Sequence, residues 1–365
     1  MGSQMTGTRR ALWVSTSTQT RGGIATYVTT MQGTSLWANW NVRHVVTHRD
    51  GSAATKIAAF ASGTIDFIMQ LFRFRPSVVH VHASADASFT RKCTLFWIAR
   101  VAGVPVVMHM HGSDFWDYHQ RSSRLVQAVI RGTLQRAAAV VALGEAWAGQ
   151  LRQIAPGARI SVVPNGVQPG GLVAQPAPDE PVHVVFLGRI GERKGTFRLL
   201  EAWAKLMVEL DAIDPGRGAV DLTIAGDGDV EQARRRIGEL GVGDSVRLHD
   251  WLPQSRVHAL LDGAHVLVLP SRNEGQPMAV LEAMSRGLCV IASDAGGLGE
   301  MIGGGCGVIV PPDDIGEIVD ALRLVVTDHA LREHCGAAAR ERVSEQFDAD
   351  VVARRIDELY RKVAR

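Results

Sequence analysis

Val182-His183-Val184-Val185-Phe186-Leu187 leads into Gly188-Arg189-Ile190-Gly191-Glu192-Arg193-Lys194-Gly195. The apolar run has the length of a strand, and its continuity marks a strand buried on both faces, as in a parallel sheet. The loop that follows combines glycines, which let the backbone approach a ligand, with Arg189, Arg193 and Lys194, whose donors suit phosphate. A diphosphate fits this chemistry, although basic glycine-rich loops also occur as plain surface.

Similar runs follow at 221–225, 246–249, 265–269, 289–292 and 308–310, and precede it at 11–14, 42–47, 78–82, 104–110, 138–143 and 161–163. Segments of helical character separate them, the order expected of doubly wound parallel sheets. The pattern restarts after Pro164-Asn165-Gly166, Pro169-Gly170-Gly171, Pro176, Pro178 and Pro181, which mark a connection. We therefore expect two α/β domains, 1–165 and 166–347. Val351, Val352, Ile356, Leu359, Tyr360 and Val363 recur at helical spacing and predict an amphipathic helix over 348–365. Two such domains suggest a ligand site in a deep cleft where strand ends converge.

A chain of 365 residues, 46% hydrophobic and 21% charged, can bury substantial cores and is no disordered tail. Its best apolar runs are cut by Asp66, Arg73, Arg75 and Arg100, so no membrane-spanning helix is expected. The N-terminus has no signal-peptide core, and the myristoylation pattern completed by Thr6 is too permissive to weigh. Cys93, Cys289, Cys306 and Cys335 lie far apart, against a disulfide framework or zinc knuckle and for a cytoplasmic location. Net charge is +2, yet residues 1–165 hold 17 Lys/Arg against 6 Asp/Glu and residues 166–365 hold 22 against 31. The cationic half would attract an anionic surface or a phosphorylated partner, unless the two halves simply attract each other.

Pro270-Ser271-Arg272-Asn273-Glu274-Gly275-Gln276-Pro277-Met278-Ala279-Val280-Leu281-Glu282 is the most informative stretch. Pro277 fits the first turn of a helix, leaving amides from Gly275 through Met278 to Ala279 as donors at a positive helix end. Glu274 and Glu282, with seven residues between them, stand before and inside that helix. Gly226-Asp227-Gly228-Asp229 and Ser293-Asp294-Ala295-Gly296-Gly297 are further glycine-rich strand ends, each also readable as a tight turn. In the first half Arg21-Gly22-Gly23-Ile24 opens a helix. His109-Met110-His111-Gly112 ends a strand; its two histidines are expected on different sides, with His111 the one facing a ligand, and no metal site is expected.

In this order the motifs resemble the retaining glycosyltransferases of family four, which have the GT-B fold. The matching pieces are Gly22-Gly23, His111-Gly112, Asn165-Gly166-Val167, Gly188-Arg189 with Lys194-Gly195, Gly226-Asp227-Gly228, and Glu274 with Glu282. The resemblance implies two Rossmann-like domains, the first for the acceptor and the second for a nucleotide sugar such as a UDP- or GDP-sugar. It implies that Arg189 and Lys194 bind the diphosphate, Glu282 the ribose, and Glu274 with Gly275, Gln276, Pro277 and Met278 the donor sugar. Gly188 and Gly226 would line that donor site. Gly22 and Gly23 would close on the diphosphate, and His111 would lie near the reacting centre. The terminal helix would cross back to the first domain. Retention is implied, with attack on the face of departure rather than through a covalent Glu274 intermediate. No metal cofactor is implied, and no D-x-D motif is read in a suitable strand-end loop. Many relatives carry an aromatic or aliphatic residue where Gln276 stands, which leaves the donor sugar open.

The acceptor expected is a glycan, a lipid-linked or phosphorylated molecule, or another small molecule, as in polysaccharide or glycoconjugate assembly. Phe60, Phe67, Ile68, Leu71 and Phe72, and Leu95, Phe96, Trp97 and Ile98 after Arg91-Lys92, either pack a core or rest peripherally on the anionic inner face of the cell membrane. Nucleic acid is not an expected partner, because no recognition helix or stacking signature is present. The rival readings are a GT-B nucleotide-sugar epimerase and a non-catalytic sugar-nucleotide-binding protein.

Overall fold

A computed structural model describes residues 9–177, 180–213 and 219–364. Residues 1–6 and Pro178, which enter the sequence reading, lie outside the described residues. The chain divides into two compact units, Met1–Gly166 with Ala349–Arg365, and Val167–Asp348.

Unit 1 contains β1 (Ala11–Ser15), β2 (Arg43–Val46), β3 (Val78–Ala83), β4 (Val106–Met110), β5 (Ala139–Ala142) and β6 (Ile160–Val162), all parallel, in the order β2-β1-β3-β4-β5-β6. Every residue of β1, β3 and β4 is buried, the physical reason these runs are continuously apolar. The chain runs from β1 to β2 on one side and to β3 on the other, so the loops after β1 and β3 flank a topological switch point, where open α/β sheets bind ligands. The helix Ala349–Val363 belongs to this unit and buries Val352, Ile356, Leu359 and Tyr360. At roughly 1.5–3 kcal/mol per large apolar side chain, that face is enough to dock it. Trp40 Nε1 donates to Asp357 Oδ1 at 2.7 Å, and the rings of Trp40 and Tyr360 meet edge-on at 5.0 Å.

Unit 2 contains β7 (Val182–Leu187), β8 (Val220–Ala225), β9 (Val246–His249), β10 (Val266–Leu269), β11 (Cys289–Ser293) and β12 (Val308–Val310), again all parallel. Their order, β12-β11-β10-β7-β8-β9, places the switch point between β7 and β10. Asp314 and Asp328 cap the helices Ile315–Thr327 and His329–Arg342, accepting from the amides of Glu317 and Leu331.

The basic apolar segments of unit 1 divide in a way the sequence left open. In the helix Ala53–Arg73, Phe67 and Leu71 enter the core, whereas Ile57, Ile65, Met69 and Phe72 are exposed. In the helix Asp86–Val101, Leu95 and Phe96 are buried, and so is Lys92, which donates to Thr47 Oγ1 and is no surface cation. Burial lowers the Lys92 ammonium to about 7, since a low-dielectric setting disfavours its charge. Among the described residues no helix is long and apolar enough to cross a membrane, and all four cysteines are free and buried.

Candidate functional site

The loops after β7 and β10 meet at the switch point of unit 2. Lys194, in the short 3-10 turn Glu192–Lys194, pairs with the Glu274 carboxylate from the β10 loop, and both side chains are almost fully buried. Ser271 Oγ donates to Glu274 Oε1 at 2.7 Å. The Lys194 stem lies over Gly188, where an added Cβ would sit 3.7 Å from Cε. Two hydrogen bonds bind the same loops: the Arg272 amide donates to Arg193 O at 2.9 Å, and the Arg193 side chain donates from Nη1 to Asn273 O at 3.0 Å.

Close approach explains the glycines. A Cβ on Gly195 would stand 2.1 Å from Pro270 O, and one on Gly226 would stand 1.8 Å from Gly188 O. Neither distance is tolerable for carbon against oxygen, so these positions accept no side chain. Gly297 donates its amide to Glu274 O at 3.1 Å, so the loop after β11 supports the backbone of Glu274.

Arg198 is a residue that sequence reasoning missed. Buried in the helix Thr196–Ile213, it donates from Nη2 to Pro270 O at 3.2 Å, and its Nη1 lies 3.0 Å from Asp313 Oδ1. It thus ties the β10 loop to the loop after β12. The readable signal was an arginine between the apolar residues Phe197 and Leu199, both of which are core residues.

Other expected residues of this unit lie nearby in sequence without sharing the ion pair. Arg189 projects into solvent, its Nη1 3.9 Å from Asp227 Oδ2. Asp227-Gly228-Asp229 does spell D-x-D at the end of β8, contrary to the expectation. Its first carboxylate faces Arg189, and the second lies where a Cβ on Gly191 would be 3.0 Å away. Pro277 is the N-cap of the helix Met278–Met284 rather than a member of its first turn, because its ψ of 127° is extended. Gly275, Gln276 and Pro277 are half-buried, while Met278 is buried. Glu282 is buried within that helix, and desolvation pushes its carboxyl up to about 7 against the opposing pull of Arg286.

In unit 1, Gly22 caps the helix Gly23–Gln32 with a φ of 123°, and both glycines are exposed. His109 and His111 point to the same side of β4, because residues two apart in a strand share a face. Their rings stack at 4.2 Å, so the expectation of opposite sides fails. They also have histidine neighbours: parallel pairing sets His82 against His109 and brings His80 alongside. The signal was present as two H-x-H repeats, His80-Val81-His82 and His109-Met110-His111, on consecutive strand candidates. His80 Nε2 meets His109 Nδ1 at 3.1 Å, His82 Nδ1 meets His111 Nε2 at 3.0 Å, and His80 Nδ1 bonds Tyr360 Oη. Trp13 lies over His80 and His82, and Tyr27 faces His109 and His111. Burial lowers His80 and His111 to about 3 and holds His82 and His109 well below the usual imidazole range, so all four are neutral at pH 7.

The family model described as glycosyl transferases group 1 matches residues 141–342, and the one described as Glycosyltransferase Family 4 matches residues 20–170. Over 331 residues the chain is 25% identical to an alpha-D-kanosaminyltransferase of Streptomyces kanamyceticus, covering 84% of each chain. It is 30% identical to a phosphatidyl-myo-inositol mannosyltransferase of Mycobacterium leprae, across 79% of this chain and 74% of that one. Among solved structures, the sucrose-phosphate synthase of Thermosynechococcus elongatus superposes with a TM-score of 0.80 at 19% identity, covering 97% of this chain and 98% of that chain.

Proposed function

The chain belongs to the glycosyl transferases group 1 family, and from that premise we propose that this glycosyltransferase of GT-B fold moves its sugar with retention and without a metal cofactor. The observation that carries the reading is the Lys194–Glu274 pair where the β7 and β10 loops meet, with Arg189 exposed on the first of those loops.

The chemistry follows from charge. Departure of a nucleoside diphosphate from the anomeric carbon builds negative charge on the β-phosphate, and fixed cations can stabilise it without reorganising. Lys194 and Arg189 take that role, and Gly188 and Gly226 leave room for the phosphates. Glu274 orients Lys194 and, with residues 275–278, the donor sugar. The Glu282 carboxylate accepts hydrogen bonds from the ribose hydroxyls, and such a ligand compensates for the desolvation that raises its pKa. Bond breaking then runs ahead of attack. The acceptor hydroxyl approaches the face from which the diphosphate leaves, and the leaving phosphate oxygen takes its proton. Gly22 and Gly23 bind the donor diphosphate, and His111 touches the donor sugar.

The donor is a UDP- or GDP-sugar, and the acceptor is phosphorylated or lipid-linked. That acceptor class is supported by the excess of cations in residues 1–165, by the exposed Ile57, Ile65, Met69 and Phe72, and by the phosphatidyl-inositol substrate in the mycobacterial relative's name. The same surface supports peripheral contact with an anionic membrane.

The test is transfer from a panel of UDP- and GDP-sugars, with and without EDTA, with the anomeric configuration of the product read by NMR. Retained configuration and activity indifferent to EDTA are expected; inversion or loss of turnover on chelation overturns the mechanism. Flotation with anionic and neutral vesicles tests the membrane arm, which fails if binding is equal.

A further inference from the structure

The four histidines of β3 and β4 form a chain in which the orphaned atoms settle where the protons sit. His82 Nε2 and His109 Nε2 are buried and have no hydrogen-bond partner. A neutral imidazole carries one N–H and one lone pair. A buried N–H without an acceptor loses its hydration for nothing, at about 1–3 kcal/mol, and is rarer in proteins than an unused acceptor. The protons of His82 and His109 therefore belong on Nδ1, and the lone pairs on the orphaned Nε2 atoms. His109 Nδ1–H then donates to His80 Nε2, and His80 Nδ1–H donates to Tyr360 Oη.

We infer that His82 is the positioning residue that fixes the tautomer of His111, donating from Nδ1–H to His111 Nε2 and so leaving the His111 proton on Nδ1. Among the described residues nothing bonds that Nδ1, and His111 is the one of the four histidines that is not fully buried. His111 thus offers its ligand a neutral N–H donor and no lone pair. It can hold an oxygen acceptor, such as a sugar hydroxyl oxygen or a developing oxyanion, and it cannot take a proton as a general base. This inference rests on the proposed contact of His111 with the donor sugar only for its catalytic consequence, since the tautomer exists without ligand.

A metal ion is the competing occupant, since His80, His82 and His109 each offer a nitrogen within 4.8 Å of the others. A dication held by all three would find the orphaned lone pairs of His82 and His109 free, but at His80 it would have to displace the Nδ1 proton or take the lone pair that accepts from His109 Nδ1–H. Its hydrogen-bonded neighbours include no carboxylate or thiolate to offset its charge, which makes burial costly.

The experiment is long-range proton–nitrogen NMR on the full chain labelled in histidine, with His111 identified by the signals lost in His111→Gln. We expect a pyrrole-type Nδ1 and a pyridine-type Nε2 at His111. His82→Leu should scramble that pattern and lower kcat about tenfold or more with little change in KM for the nucleotide sugar. His82→Asn, whose amide N–H can take the place of Nδ1–H, should restore most of both. A wild-type His111 protonated on Nε2 overturns the inference even if neither variant folds. Equal behaviour of the Leu and Asn variants overturns it as well, as does stoichiometric Zn2+ binding that is lost in His109→Leu. If the tautomer is as assigned but His111→Gln transfers sugar normally, the proposed contact with the donor fails and the positioning stands.

Discussion

The two sheets differ by one strand of wiring, and their ligand-facing ends differ in kind. In unit 2 two strands lie beyond the first one before the chain doubles back, and the switch-point loops are joined by a lysine–glutamate pair and a buried arginine. In unit 1 one strand lies beyond the first, and the carboxyl ends of β3 and β4 are joined by neutral imidazoles between aromatic rings. Net charge runs the other way, since the cation-rich half has the neutral centre and the acidic half keeps cations at its loops. Local placement, not net charge, thus sets the chemistry of each end: one keeps a buried cation paired with a carboxylate, and the other keeps its imidazoles neutral.

Breaking the charged end should have the largest effect. Lys194→Met leaves the Glu274 carboxylate buried without its cation, so unit 2 should lose about 3–5 kcal/mol in urea denaturation. Transfer should fall by about a hundredfold or more in kcat/KM. Pairing the change with Glu274→Leu should recover most of the stability and none of the activity. If the double variant is as unstable as the single one, the ion pair is not what joins the loops.

A second contrast concerns why each unit needs its glycines. Gly226 needs space, because a Cβ would stand 1.8 Å from a backbone oxygen, whereas Gly22 needs only its φ of +123°, with nothing within 4 Å of a Cβ. Gly226→Ala should therefore cost about 3 kcal/mol, as overpacking against an unyielding backbone does. Gly22→Ala should cost about 2 kcal/mol, as an L-residue held at φ 123° and ψ 167°, a region almost reserved for glycine, does. Equal costs in thermal unfolding would mean that the loops after β7 and β8 can move apart.

The strand runs were legible because burial on both faces writes itself as continuous apolar sequence, and the parallel strands start or end within a residue or two of those runs. The loop glycines and Lys194 were legible as chemistry, but their partners were not: a pair such as Lys194 with Glu274 spans two strands, and no local pattern encodes it. The histidines show a different failure. His80-Val81-His82 and His109-Met110-His111 were in view, and the rule that alternate residues share a face predicts their meeting once β3 and β4 are neighbours. The reading went wrong on strand geometry rather than for lack of signal. The burial of Lys92 was illegible for the opposite reason, since its charge reads as surface while its position on the helix faces the core.

The last contrast is one of pH. Glu282, raised to about 7, binds a proton in the folded state that the unfolded chain has given up above its ordinary value of 4.5. Its favourable contribution is therefore full below pH 4.5 and is lost as pH rises through 7. His80 and His111, lowered to about 3, act the other way: their contribution is full above 6.5 and is lost as pH falls toward 3. Between these limits the two units respond to acid with opposite sign. Glu282→Gln removes one side of the balance, so at pH 8 the variant should be more stable than the parent by about 2 kcal/mol. The gain should vanish near pH 4.5, while nucleotide-sugar affinity falls at both values. Urea denaturation across that range reads the difference. A variant no more stable at pH 8 would mean that the carboxyl ionises without cost, and the ribose would lose the reason it has for binding there.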